Sequence, residues 1–218
     1  MAILDPVRPT ILAARIISNV DRGFAKHLNL KDHQRSLALV TCDIDDALYV
    51  SLDEATKFAE VDVVYAKSFY AGSGYPSGPL SGEIIGILAG PTPAEARSGL
   101  DACISYAEEE ACFYTANEAG DLTFFPHLIS STGSYLSEAA GINRGEPLAY
   151  LIAPPLEATL GLDAAMKAAG VEMKVFYEPP SETNFAGGLL TGTQSACRAA
   201  CTAFQETVLD VAVSPRKY

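Results

Sequence analysis

Tryptophan is absent from this 218-residue chain, and there are only three methionines and three histidines. So few histidines, with no C-x-x-C pair among the cysteines, leave little from which to build a structural zinc cage. The five cysteines, Cys42, Cys103, Cys112, Cys197 and Cys201, form an odd set. They read as small buried apolar side chains of a reducing compartment. Positive charge is also short. Fifteen Lys and Arg face 27 Asp and Glu, for a net charge of −12, which argues against a general nucleic-acid binder. Long apolar runs are missing too. Ile84–Ala89 and Leu148–Ala153 are strand-sized, whereas a membrane span needs about 20 apolar residues. Asp5, Pro6 and Pro9 interrupt what would be the core of a signal peptide, so neither a leader nor a membrane partner is expected.

Familiar catalytic signatures are absent as well. Gly72–Gly78 is rich in glycine but lacks the Gly-Lys-Ser/Thr ending of a phosphate loop, and no Gly-x-Ser-x-Gly elbow occurs. His27, His33 and His127 are scattered, with no nucleophile–base pattern around them. What is present is 49% hydrophobic residues against 19% charged ones, the composition of a chain that folds around a core.

The chain also repeats itself. Asp53-Glu-Ala-Thr-Lys-Phe-Ala-Glu-Val-Asp62 aligns with Asp163-Ala-Ala-Met-Lys-Ala-Ala-Gly-Val-Glu172 at an offset of 110. The flanks follow in the same order. Phe24–Leu30 matches Leu136–Ile142, Ser36–Val40 matches Pro147–Leu151, and Gly86–Gly90 matches Gly188–Gly192. This predicts two tandem domains, 1–107 and 108–218, joined near 104–121. Each half reads as strand, strand, helix, strand, long Gly/Pro-rich loop, strand, helix, giving a mixed α/β (α+β) fold in which a small sheet is flanked by helices. Asp53 and Asp163 read as N-caps or first-turn acids of their helices.

The sharpest asymmetry between the halves is acidic. Asp43-Ile-Asp45-Asp46 follows the Leu37–Val40 strand, while the second half has Ala153-Pro-Pro-Leu-Glu157 there. Three acids in four residues are either a hard-cation site or a solvated acidic turn. Glu83 is likewise unmatched in the repeat.

The segment Asp163–Met173, and more loosely Asp53–Val63, resembles the signature helix of bacterial microcompartment shell domains. The strand that usually closes such a domain stands here at its front, at Ala14–Asn19 and His127–Ser131, as in the circularly permuted tandem shell proteins. Stretches such as Thr132–Ser137, Ala153–Ala158 and Pro180–Asn184 are similar to the ethanolamine-utilisation type. The resemblance implies a shell tile and not an enzyme: a homotrimer of pseudohexameric outline, meeting other microcompartment shell proteins edge to edge in the cytoplasm. No cofactor and no metal are implied.

By the same resemblance, Asp45, Asp46, Glu83 and Phe113 line small pores that bind a metabolite, ethanolamine above all. Tyr70, Gly72, Gly74, Tyr75, Tyr177, Glu182, Asn184 and Phe185 form the gate of a central pore. Lys57 and Lys167 stand at the tile edge. Read without the resemblance, these are two solvated helix lysines and rings packing at loop roots. The alternatives are a choline or propanediol compartment, a metal-dependent enzyme built on the acid cluster, and a small-molecule sensor.

Overall fold

The computed structural model describes residues 2–68, 84–179 and 185–216. The chain opens with β1 (Pro6–Val7), β2 (Ile11–Ile17), α1 (Arg22–His27), β3 (Ser36–Cys42) and α2 (Asp45–Phe58). Next come β4 (Asp62–Ser68), β5 (Ile84–Gly90), α3 (Pro93–Glu109) and β6 (Phe113–Thr115). The remainder is β7 (Thr123–Ile129), α4 (Ser134–Ala140), β8 (Leu148–Ala153), α5 (Pro155–Ala168), β9 (Val171–Tyr177), β10 (Ala186–Gly192) and α6 (Gln194–Val213). These elements form two compact units, one of residues 8–111 with 133–136, the other of residues 1–7, 112–132 and 137–218.

In the unit of residues 8–111 and 133–136, β2-β3-β5-β4 make an antiparallel sheet. Alternation along β3 sends Ala38 and Val40 to one face and Leu37 to the other. The first face meets Leu48, Leu52 and Ala55 of α2 and Leu100 and Cys103 of α3. The second carries Leu37, Ile87 and Ala89, packed with Ala25 of α1 and the adjacent Leu28. Leu48, Leu52 and Leu88 are fully buried, and truncating such a residue to Ala costs about 2–5 kcal/mol.

In the other unit, β7-β8-β10-β9 repeat that strand order, and β6 and β1 extend the sheet beyond β7. Phe204 and Ala200 of α6 and Leu162 and Ala165 of α5 close over Leu151 and Leu190. The β5–α3 and β10–α6 junctions are built alike. Thr92 Oγ1 accepts the N–H of Glu95 and Thr193 Oγ1 accepts that of Ala196, each capping its helix.

Several local expectations differ from the structure. A short helix, α1 or α4, stands between the first two strands of each repeat where the sequence offered too few periodic positions to show it. Helices α2 and α5 begin eight residues before Asp53 and Asp163, so these acids are not N-caps of their own helices. The Asp-Glu-Ala-Thr-Lys pattern marks the end of the helix, where Lys57 and Lys167 complement the C-terminal dipole. The stretch after α3 is not merely a linker. Its Phe113–Thr115 pairs with Pro6–Val7, which places residues 1–7 in the unit with residues 112–132.

Candidate functional site: an acidic helix turn and an aromatic ladder

The acid cluster divides its work. Asp43 Oδ1 accepts the backbone N–H of Thr10 at 2.6 Å, and Asp43 N–H returns to Thr10 O, which ties the end of β3 to the start of β2. Asp45 and Asp46 form the first turn of α2, where the N-terminal dipole favours negative charge. Asp45 Oδ1 accepts the N–H of Asp46 at 2.9 Å. Asp45 is half-buried and Asp46 buried. The matching positions of α5 are Pro155 and Leu156, with one acid, Glu157, in that turn, so the fold does not require the acidic pair. Among the described residues, no group of three His, Cys, Asp or Glu side chains is placed to hold a metal ion.

Further along α2, a stripe of the helix is covered by residues 133–136 of the same unit. Asp53 Oδ2 accepts the N–H of Gly133 at 2.6 Å and its Oδ1 that of Leu136 at 2.8 Å. Thr56 Oγ1 accepts the N–H of Ser134 and donates to Asp53 O. Together they accept the N–H groups of Gly133, Ser134 and Leu136 at the start of α4. A Cβ at Gly133 would run into Thr56 Oγ1 and the Asp53 carbonyl. The Tyr135 ring stacks on Tyr49, with centroids 6.3 Å apart. Burial pushes the Asp53 carboxyl above the usual carboxylate range, against the downward pull of its two N–H donors and of Lys57. The sequence grouped Thr132–Ser137 only as a family stretch. Its role shows once Asp53 is seen to be buried.

In the other unit, rings form a ladder. Phe185 lies 6.1 Å from Phe113, Phe113 stacks on Phe125 at 4.9 Å, Phe125 meets Tyr150 edge-on at 5.8 Å, and Tyr150 lies 6.0 Å from Tyr177. His127 stacks flat on Phe125. Three residues singled out from sequence for two different pores, Phe113, Tyr177 and Phe185, are thus linked through Phe125 and Tyr150. Phe113 is buried and Phe185 half-buried. Tyr70, Gly72, Gly74, Tyr75, Glu83, Glu182 and Asn184 lie outside the described residues.

The two lysines differ. Lys57 pairs with Glu54 and is largely covered, while Lys167 is exposed and pairs with Asp163 at 2.6 Å. A groove of about 250 Å³ between α2 and α3, lined by Glu54, Phe58, Tyr106, Glu109 and Glu110 among others, had no sequence signal. Burial, and then the charges of Glu54 and Glu110, push the Tyr106 phenol up. All five cysteines are free thiols and buried. Burial raises Cys42 and Cys201 to about 12. Among the described residues, no helix is long and apolar enough to cross a membrane.

No family model matches the chain. Its similarity to known proteins is nonetheless extensive. It is 58% identical over 211 residues to the bacterial microcompartment shell protein EutL of Clostridium perfringens, covering 97% of each chain. It is 51% identical over 215 residues to EutL of Escherichia coli, covering 99% of this chain and 98% of the other. The crystal structure of ethanolamine utilization protein EutL from Leptotrichia buccalis superposes with a TM-score of 0.97 at 55% identity, over 100% of both chains. These relatives are shell proteins, not enzymes. With an acidic turn and aromatic ladder set on two sheets of one repeated order, this chain belongs to the EutL family of bacterial microcompartment shell proteins.

Proposed function

We propose that this chain is a tile in the shell of an ethanolamine-handling microcompartment in the bacterial cytoplasm. It assembles as a homotrimer whose six domains give a pseudohexameric outline, and it meets other shell proteins edge to edge through Lys57 and Lys167. Small acidic pores formed by Asp45, Asp46 and Glu83, with Phe113, bind the metabolite. A central passage is gated by Tyr70, Gly72, Gly74, Tyr75, Tyr177, Glu182, Asn184 and Phe185.

The observation that carries the metabolite reading is the first turn of α2. Two neighbouring carboxylates, one of them buried, occupy a turn whose counterpart in α5 has Pro155 and Leu156 at those two positions and a single acid, Glu157. Two carboxylates side by side concentrate negative charge, which a cation complements. A primary ammonium offers three donors and a full positive charge, and carboxylates accept charge-assisted hydrogen bonds from it. Ethanolamine has that group, and the Leptotrichia buccalis relative is an ethanolamine utilization protein.

The test is titration calorimetry with ethanolamine on the wild type and on an Asp45→Asn/Asp46→Asn double variant. Binding that weakens by about tenfold or more, with the assembly state kept, supports the site. Equal affinity in the two proteins refutes it.

A further inference from the structure

The groove between α2 and α3 is built from residues that the repeated fold does not require. It holds about 250 Å³ and its lining is largely apolar, with rings from Phe58 and Tyr106. Phe58 ends α2 and is 70% exposed, so its ring is not used by the core. Glu54, Glu109 and Glu110 add three carboxyl groups. In the other repeat the equivalent helices are α5, at the offset of 110, and α6, at the offset of 101 set by the caps Thr92 and Thr193. The matching residues there are Ala164, Ala168, Thr207, Asp210 and Val211, with no ring among them.

The negative charge at the groove is poorly met. Helix α3 ends on Glu109, with Glu110 as its C-cap and no basic residue in its last turn, so two carboxylates stand at the negative end of the helix dipole. Arg8 donates to the backbone carbonyls of Glu108 and Glu109, not to their carboxyl groups. Among the described residues, neither Glu109 nor Glu110 has an ion-pair partner, while Glu54 pairs with Lys57. The upward push on the Tyr106 phenol, first from burial and then from Glu54 and Glu110, keeps it neutral and marks both carboxylates as its neighbours.

We infer that this groove binds a small organic cation, with its ammonium head on the glutamates and its apolar body against Phe58 and Tyr106. The volume lies just below the ~300–1,000 Å³ of small-molecule clefts, which keeps the ligand small. Apolar walls with an acidic rim suit a molecule of both characters. The ring faces attract a cation, and the carboxylates accept charge-assisted hydrogen bonds from its N–H groups. A bare metal ion would leave the rings unused, and the three glutamates are not placed to hold one. The site is separate from the acid turn, since Asp45 and Asp46 open α2 whereas Glu54 and Phe58 belong to its far end. It does not rest on the pore reading above.

The experiment is calorimetry on the full chain with 2-phenylethylammonium as the probe and neutral 2-phenylethanol as the control of the same shape. One saturable site per chain is expected for the cation, at least about tenfold tighter than for the alcohol. Phe58→Ala and Glu109→Gln/Glu110→Gln change exposed positions, so the fold is kept, as circular dichroism verifies. Each should weaken the probe by about fivefold or more. An Asp45→Asn/Asp46→Asn variant should bind it as the wild type does. Absence of saturable binding, equal affinity for the alcohol, or groove variants as tight as the wild type overturns the inference. So does loss of binding in the Asp45→Asn/Asp46→Asn variant alone, which would put the cation on the acid turn.

Discussion

Asp53 on α2 accepts the backbone N–H of Leu136 at 2.8 Å, with the carboxylate and the amide both buried. The same carboxylate takes the N–H of Gly133, so one side chain accepts two N–H groups at the start of α4. Asp53→Ala leaves two buried donors without acceptors, at about 1–3 kcal/mol each. Destabilisation by at least about 2 kcal/mol is expected in denaturant titration. Asp32→Ala, at an exposed position, should stay within about 0.5 kcal/mol.

Gly133 is the other half of that contact. Its Cα lies so close to α2 that a methyl group has no room beside Thr56 and the Asp53 backbone. Gly133→Ala should therefore cost about 1–3 kcal/mol by overpacking. A thermal midpoint equal to that of the wild type would contradict the close approach.

Alkaline pH is expected to destabilise the fold. Burial raises the Cys42 and Cys201 thiols from 9.0 to about 12, and Cys103 moves in the same direction. Between these values the unfolded chain has lost its thiol protons while the folded chain keeps them. Stability is then full below about pH 9 and falls as pH rises toward 12. The slope is about 1.4 kcal/mol per pH unit for each such thiol. Denaturant midpoints measured from pH 8 to 11 check this. The same burial predicts that a thiol reagent labels no cysteine in the native protein at pH 8.

If the acids of the α2 turn recognise N–H donors and not charge alone, ethanolamine should bind about tenfold tighter than choline. The quaternary ammonium of choline has no N–H to give. Competition calorimetry separates the two ligands, and equal affinities would favour a charge-only site.

The sequence made some of this legible and hid the rest for physical reasons. The repeat survived because core positions are held by packing: Ala55 with Ala165 and Val61 with Val171 recur at one offset in equivalent elements. The acid turn was visible because its counterpart has Pro155 and Leu156 in place of the paired acids and only Glu157 beside them. Helix starts were not, since Asp45 and Pro155 share no residue type, and the pattern they head is strongest at its far end. The role of Asp53 was hidden because its partners are backbone N–H groups, 80 and more positions away, and backbone leaves no mark on composition. Phe113 and Phe185 were seen separately, as pore residues. Only the distance joins them, with their rings 6.1 Å apart.

The pairing of β1 with β6 has a consequence for synthesis on the ribosome. Asp5 donates its N–H to Thr115 Oγ1, 110 positions downstream. At about 5–20 residues per second, Asp5–Val7 wait several seconds before their partner strand exists. Throughout that interval the leading peptide is an unpaired edge. The Pro6–Val7 edge is closed only after Phe113–Thr115 has been made.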